Sequence, residues 1–171
     1  MKYLKRDQLR KVLTIAKRES LRDWLMILVG YNHGMRASEV CNLTGSDVSN
    51  GMLNIVRGKG SKLTVQMLRA SKDPLFNEKD PLQDLAAACP GKLFEIGRCQ
   101  FWRRVKRYCE LADVYGNVRA LKHSVAMHAV ESKIPILQVQ QHLGHKDIKS
   151  TLFYVAELEA ASSTKAVFSV L

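Results

Sequence analysis

Apolar residues recur at helical spacing along most of this chain, and two short alternating runs interrupt them near residue 60. The alternating runs, Met52–Val56 and Leu63–Met67, flank the basic, glycine-rich residues 57–62, which is typical of a β-hairpin. Helices are expected around Val12–Ala16 and then over residues 21–32, 36–42, 82–88, 98–111, 118–131, 136–142 and 147–154, with a helix-like segment from residue 157. The chain is therefore predicted to be mainly α with a small antiparallel β-hairpin or sheet, an α+β fold.

The length and charge of the chain limit its organisation and its partners. Its 171 residues suit a single domain, 1–171, that is long enough to bury one core. With 27 basic against 16 acidic residues and a pI near 9.7, the expected partner is a polyanion, nucleic acid before membrane, although many basic proteins bind RNA or heparin. No apolar run approaches the roughly 18 residues of a spanning helix, and residues 1–7 lack a signal-peptide core. We therefore expect a cytoplasmic protein.

Metal and cofactor chemistry finds little support in the sequence. The four cysteines contain no Cys-x-x-Cys pair, so buried thiols are expected rather than disulfides or zinc. His142 and His145, three residues apart, and His123 and His128, five apart, lack cysteine or carboxylate partners at zinc spacing. The glycine-rich turn lacks the Gly-x4-Gly-Lys-Ser/Thr order of a phosphate loop. We expect no metal and no cofactor.

The residues that could carry chemistry stand in a definite order. Cleaving a phosphodiester without metal needs a nucleophile, cations on the non-bridging oxygens and an acid for the leaving oxygen. Arg36 and Glu39 lie one helical turn apart, and Lys59 stands between the glycines of the hairpin turn. Tyr154 follows His145 of a Leu-Gly-His triplet by nine residues. Singly, each is ordinary, since an Arg-x-x-Glu pair is common on helix surfaces and a tyrosine is common in a core.

In this order the motifs resemble the catalytic domain of the tyrosine recombinase, or phage integrase, family, and the likeness extends from the first helices to Tyr154. Residues 33–39, His-Gly-Met-Arg-Ala-Ser-Glu, are especially similar to the small invertases of fimbrial phase switching. The resemblance implies the tyrosine recombinase catalytic-domain fold. It also implies a reaction in which Tyr154 attacks phosphorus and leaves a 3′-phosphotyrosyl bond and a free 5′-hydroxyl.

The resemblance assigns roles to the companions of the tyrosine. Arg36 would hold the scissile phosphate through two guanidinium hydrogen bonds, and Glu39 would support it. His145 would hydrogen-bond a phosphate oxygen or assist proton transfer. Lys59 would protonate the leaving 5′-oxygen as general acid, with Arg57 and Lys62 as neighbouring competitors in the turn.

Residues 118–124 depart from the family pattern. The family has His-x-x-Arg ahead of a histidine and a small hydroxyl residue; here Arg119 and Lys122 replace the first histidine and the arginine, while His123 and Ser124 fit. Both positions keep a catalytic cation, but proton exchange at neutral pH is lost at position 119. Lys122 offers a point charge in place of a bidentate fork. Losing one such donor costs on the order of 3 kcal/mol of transition-state stabilisation.

Further basic residues are expected to contact the DNA backbone. The run Phe101–Arg107 puts several cations on one helix, and a solvated basic face is the alternative interpretation. The predicted DNA-binding residues are Arg57, Lys62, Arg103, Arg104, Lys106, Arg107 and His123.

An assembly is also implied by the resemblance. We expect duplex DNA with paired recombination sites, a homo-tetramer on DNA that is a monomer or weak oligomer when free, and a DNA-bending accessory protein. The apolar C-terminal tail, residues 157–171, is expected either to dock into a neighbouring protomer or to fold back on its own domain. Few residues precede the first helix, so we expect either a minimal enzyme without the usual N-terminal DNA-clamping domain, as in fimbrial-type invertases, or a fragment.

Three functional hypotheses follow from these patterns. The first is a site-specific DNA recombinase that acts without metal or ATP, its activity weakened at the variant site. The alternative, motivated by Arg119 and Lys122, is a recombinase-derived DNA-binding regulator with impaired or lost strand transfer. The third is a helical nucleic-acid-binding module whose motif match is coincidental.

Overall fold

Eight α-helices, a short 3-10 helix at Gly45–Asp47 and a three-stranded antiparallel sheet form the part of the chain that the computed structural model describes. That part is residues 3–58 and 63–168, without the side chains of 161 and 163–168. The helices are α1 Arg6–Glu19, α2 Leu21–Asn32, α3 Ala37–Cys41, α4 Lys79–Ala88, α5 Arg98–Leu111, α6 Val118–Glu131, α7 Ile136–Leu143 and α8 Lys149–Phe168. The strands are β1 Val48–Ser49, β2 Met52–Ile55 and β3 Thr64–Met67. The predicted fold class is confirmed. Lys59 and Lys62, predicted in the hairpin turn, lie outside the described residues.

The sheet contains one strand more than the expected hairpin. Strand order is β1-β2-β3, with Val48 opposite Leu53 and Ile55 opposite Thr64. β1 and β2 are joined through Asn50 and Gly51, whose φ angles of 50° and 73° are those of an Asn-Gly hairpin turn. β1 has only two residues, too few for alternation to be read from the sequence.

Helix α2 is the centre of the core. Ten of its twelve residues, Asp23–Asn32, are buried, and it packs against both α1 and α6. The Ser20 hydroxyl accepts a hydrogen bond from the Asp23 backbone N–H, which caps the helix as the sequence predicts. α2 ends at Asn32, and the buried residues 33–35 lead from it to the part-exposed Arg36.

The C-terminal third differs from the expectation of two separate segments. A single helix, α8, runs from Lys149 to Phe168, and the expected break before residue 157 is wrong. No glycine or proline lies between Lys149 and Phe168, so nothing in the backbone ends the helix there. α8 packs against α6 and α7, and Tyr154 joins a small cluster with Ala126, Met127, Val139 and Leu143. Gly144, at φ 66°, ends α7 in the left-handed conformation that suits glycine.

Candidate active site

One groove brings together five of the six predicted catalytic residues. It has a volume of about 1150 Å³ and lies between the loop before α3, the N-terminal halves of α5 and α6, and the start of α8. Arg36, Arg119, Lys122, His145 and Tyr154 line it. Its lining also includes Arg98, Arg103 and Lys149. No aspartate or glutamate among the described residues lines it, so we call it the basic groove. A set of cations of this kind suits a phosphate backbone.

Tyr154 lies at the wall of the groove with its hydroxyl inside the protein. Its side chain is only 4% exposed, and burial raises its pKa to about 12. The hydroxyl lies 3.0 Å from Nδ1 of His123. The ring of His145 is parallel to that of Tyr154, with the two ring centroids 6.4 Å apart. The phenol is therefore protonated at neutral pH and has to lose its proton if it is to attack phosphorus.

Arg36 is held by Glu39 in the way the resemblance implies. Arg36 is the N-cap of α3, and the Glu39 carboxylate accepts from both its backbone N–H and its Nη1, each at 2.8 Å. Burial alone would raise the pKa of Glu39, but the hydrogen bonds from Arg36 and the nearby charges of Arg57 and Lys122 outweigh it and lower the pKa. The carboxylate is therefore ionised, and the part-exposed guanidinium is fixed at the edge of the groove.

Lys122 is half-buried in the wall of the groove. Its Nζ donates to the carbonyl oxygens of Gly34 at 2.7 Å and of Leu143 at 2.9 Å. Burial, with the charge of Arg57 next, lowers the pKa of Lys122 to about 7. An ammonium has three N–H groups, so one is left for a phosphate after these two bonds. The lysine thus ties the Arg36 loop to the end of α7 and can still contribute a positive charge.

His145 is oriented by the start of α8. Its Nδ1 pairs with Thr151 Oγ1 at 3.0 Å, and the buried threonine is on the first turn of that helix. Burial, followed by the charges of Lys122 and Arg36, lowers the pKa of His145 to about 4. The ring is therefore neutral at pH 7 and, with Nδ1 engaged, presents Nε2 to a further partner. A neutral imidazole in this position can hydrogen-bond a phosphate oxygen.

Arg57 requires a correction, because it was expected to contact DNA. Its side chain is 0% exposed, and all five of its N–H groups have acceptors. Nη1 donates to the Gly34 carbonyl and Glu39, and Nη2 to the carbonyls of His33 and His142. Arg57 therefore joins the hairpin to the segments that carry Arg36 and His145 and has no donor left for a phosphate.

The predicted DNA-binding residues on α5 divide between two sides of the helix. Arg103 lines the basic groove. Arg107 pairs with Glu19, and Arg104 lies 3.8 Å from the buried Asp23, both at the junction of α1 and α2. Lys106 pairs with Glu110 at 3.5 Å. Arg103 is therefore the member of this run that lies inside the groove, and DNA contact by Arg104, Lys106 and Arg107 stays a prediction.

Sequence reasoning missed several residues of the groove. Arg98 and Lys149 add cations, and Trp102 and Phe153, 40% and 51% exposed, add aromatic surface. On α5, the groove residues 98, 99, 102 and 103 follow an i, i+1, i+4, i+5 spacing. That spacing was available in the sequence, but it points to the groove only once one member is known to lie there.

Neither a cluster of metal-ligating side chains nor a membrane-spanning helix is found in the described part of the chain. Over residues 3–58 and 63–168, no three histidine, cysteine, aspartate or glutamate side chains are grouped as metal ligands would be. Within the same part of the chain, no helix combines the length and the apolar character needed to cross a membrane.

Comparison with known proteins agrees with this fold. The sequence profile of the Phage integrase family matches residues 2–160, so the chain belongs to that family. Tyrosine recombinase XerA of Pyrococcus furiosus is 30% identical over 161 residues, covering 90% of this chain and 56% of the relative. Tyrosine recombinase XerD of Haemophilus influenzae is 29% identical over 174 residues, covering 90% and 57%. The chain thus spans little more than half the length of these curated relatives.

Solved structures share the fold. A crystal structure of XerA recombinase has a TM-score of 0.72 at 21% identity, covering 90% of this chain and 60% of that one. The catalytic domain of bacteriophage HP1 integrase has a TM-score of 0.71 at 22% identity, covering 95% and 94%. The predicted catalytic-domain fold is therefore confirmed. The finer likeness to fimbrial-type invertases stays a prediction.

Proposed function

We propose that this protein is a site-specific DNA recombinase that cleaves and rejoins duplex DNA through a 3′-phosphotyrosyl intermediate. The observation that carries the proposal is the basic groove, whose lining combines Tyr154 with Arg36, Lys122 and His145. A nucleophile and several cations around one space match the needs of phosphoryl transfer. The resemblance of the whole motif order to tyrosine recombinases supports the same reaction.

The chemistry would proceed by in-line attack. Tyr154 Oη forms a bond to phosphorus while the bond from phosphorus to the 5′-oxygen breaks. Arg36, Arg119 and Lys122 neutralise charge that develops on the non-bridging oxygens, and His145 donates to one of them. Lys59, by resemblance, supplies the proton that the 5′-oxygen takes as it leaves. The phosphotyrosyl bond conserves the energy of the broken bond, so rejoining needs no ATP.

Duplex DNA is the proposed substrate. The six cations of the basic groove support it, as does the structural neighbour XerH, a site-specific recombinase bound to difH substrate. We further propose assembly as four protomers on two recombination sites, with an accessory protein to bend the DNA, in the cytoplasm where the DNA is accessible. The C-terminal tail, residues 157–171, would dock into a neighbouring protomer.

A suicide substrate tests the proposal. DNA nicked near the cleavage site loses a short strand after cleavage, which traps the covalent intermediate. The native chain should give a protein–DNA band that survives denaturant, Tyr154→Phe should give none, and Tyr115→Phe, at an exposed tyrosine, should behave as the native chain. If the native chain binds DNA to saturation and forms no covalent complex, the recombinase proposal fails and a DNA-binding regulator remains.

A further inference from the structure

The hydroxyl of Tyr154 has a hydrogen-bond partner that was expected only to contact DNA. The partner is His123, whose Nδ1 lies 3.0 Å from Tyr154 Oη, with the two ring centroids 5.9 Å apart. His123 is half-buried on the first half of α6, and Tyr154 is on α8, which packs against α6. We propose that His123 is the catalytic base that accepts the Tyr154 proton during strand cleavage, an assignment that rests on the proposed function.

The other polar groups near the tyrosine are less suited to accept a proton. Nδ1 of His145 is taken by Thr151, and its ring lies parallel to the tyrosine ring. Lys122 donates to two backbone carbonyls. Arg119 is a guanidinium with no lone pair to offer. Within the described part of the chain, His123 is thus the base placed at the hydroxyl.

The electrostatic surroundings leave His123 in the neutral form that can accept a proton. Burial, with the charges of Lys122 and Arg119, lowers the pKa of His123, so its imidazole is neutral at pH 7. With Nδ1 unprotonated, the ring can accept the hydrogen bond from the phenol. Burial also raises the pKa of Tyr154 to about 12, which makes a base useful during attack.

The position of His123 bears on the departure at residues 118–124. Arg119 stands where the family has a histidine expected to exchange protons, and His123 lies four residues later, on the same face of α6. Of the two histidines in the family pattern, the one kept here is thus the one that contacts the tyrosine hydroxyl, while position 119 supplies a further cation to the groove.

The step balances as follows. Tyr154 Oη bonds to phosphorus, its proton passes to Nδ1 of His123, and the 5′-oxygen leaves and takes a proton from the general acid. In rejoining, the 5′-hydroxyl attacks phosphorus and gives its proton to the conjugate base of the general acid, while the His123 imidazolium returns its proton to the tyrosine oxygen as the phosphotyrosyl bond breaks.

Single-turnover cleavage of the suicide substrate by His123→Ala and His123→Asn tests the proposal. Because general-base catalysis contributes about 10²–10⁴-fold, both variants should form the covalent complex at least about 100-fold more slowly, with DNA affinity close to native. The second perturbation is a fluorinated tyrosine placed at position 154, whose phenol is more acidic and depends less on a base. This replacement should reduce the rate defect of His123→Ala in covalent-complex formation by at least about tenfold. Fluorinated tyrosine at the exposed position 115 should leave that defect unchanged.

The outcomes separate the two proposals. If the native chain is active and His123→Ala cleaves at the native rate, or its defect is unchanged by fluorination at 154, His123 is not the base and only this inference fails. Thermal unfolding of both variants shows whether they fold as the native chain does. A rate defect caused by misfolding would not be relieved by fluorination at position 154, and that result would count against the inference. If the native chain forms no covalent complex, the proposed function fails and this inference fails with it.

Discussion

Replacing the buried Arg57 with methionine should destabilise the protein far more than the same replacement of a surface arginine. The change keeps most of the buried stem and removes the guanidinium that holds Gly34, Glu39, His33 and His142. Breaking a buried charge pair by removing one partner costs about 3–5 kcal/mol.

Several acceptors keep a second donor, which limits the cost of this change. Glu39 is still bonded by Arg36, the Gly34 carbonyl by Lys122, and the His142 carbonyl by Gln66 at 2.7 Å. We therefore expect the lower end of that range, about 3 kcal/mol of unfolding free energy. For a chain of this length, that lowers Tm by roughly 6–12 °C.

Urea unfolding followed by far-UV circular dichroism measures the loss. Arg107→Met is the matched control, because it removes the same group from an exposed pair with Glu19 and should leave the unfolding free energy nearly unchanged. Covalent-complex formation by Arg57→Met should also slow, since the segments carrying Arg36 and His145 lose their common anchor. A cost for Arg57→Met no larger than that of Arg107→Met would show that the buried guanidinium contributes little.

Three further outcomes are expected. Because the pKa of Lys122 is lowered to about 7 and a bound phosphate favours its charged form, DNA binding should take up a proton above pH 7. Fluorescence anisotropy should therefore show DNA affinity falling by up to about tenfold per pH unit above pH 7. Lys122→Arg should remove that pH dependence. Gly144→Ala should lower the unfolding free energy measured with urea by at least about 1–2 kcal/mol, since φ is 66° and the new methyl would lie 3.0 Å from Arg57 Nε. Gly91→Ala is the control and should cost little, because no atom lies within 4 Å of its new methyl. Arg98→Ala should reduce the slope of log affinity against log salt by about 1, and an unchanged slope would remove it from the DNA contacts.

The helices were predictable where the chain carries both a start and a stop signal. The bounds of α2, α5 and α6 match the prediction, and α2 begins at the Ser20 cap as expected. β1 was missed because its two residues carry no periodicity. The break expected before residue 157 rested on a change in composition, and composition does not end a helix when every residue can continue it.

The site was predictable where a residue type stands in a fixed order along the chain. Arg36, His145 and Tyr154 are of this kind, and they meet in one groove. The burial of Arg57 was not predictable, because its acceptors come from segments 24 and 85 residues away. The contact between His123 and Tyr154 likewise joins residues 31 apart and depends on how α8 packs on α6.

The acceptors of Arg57 bear on how the protein is made at the ribosome. Chains emerge N-terminal end first, and contacts between distant residues form late. The His142 carbonyl, and the Leu143 carbonyl that binds Lys122, exist only after α7 has been synthesised, and Tyr154 follows Leu143 by eleven residues. The Arg36 loop therefore cannot reach its final geometry until α7 has been synthesised. An incomplete nascent chain carries most of the groove's positive charge without the tyrosine, so the proposed strand cleavage requires a chain translated through Tyr154.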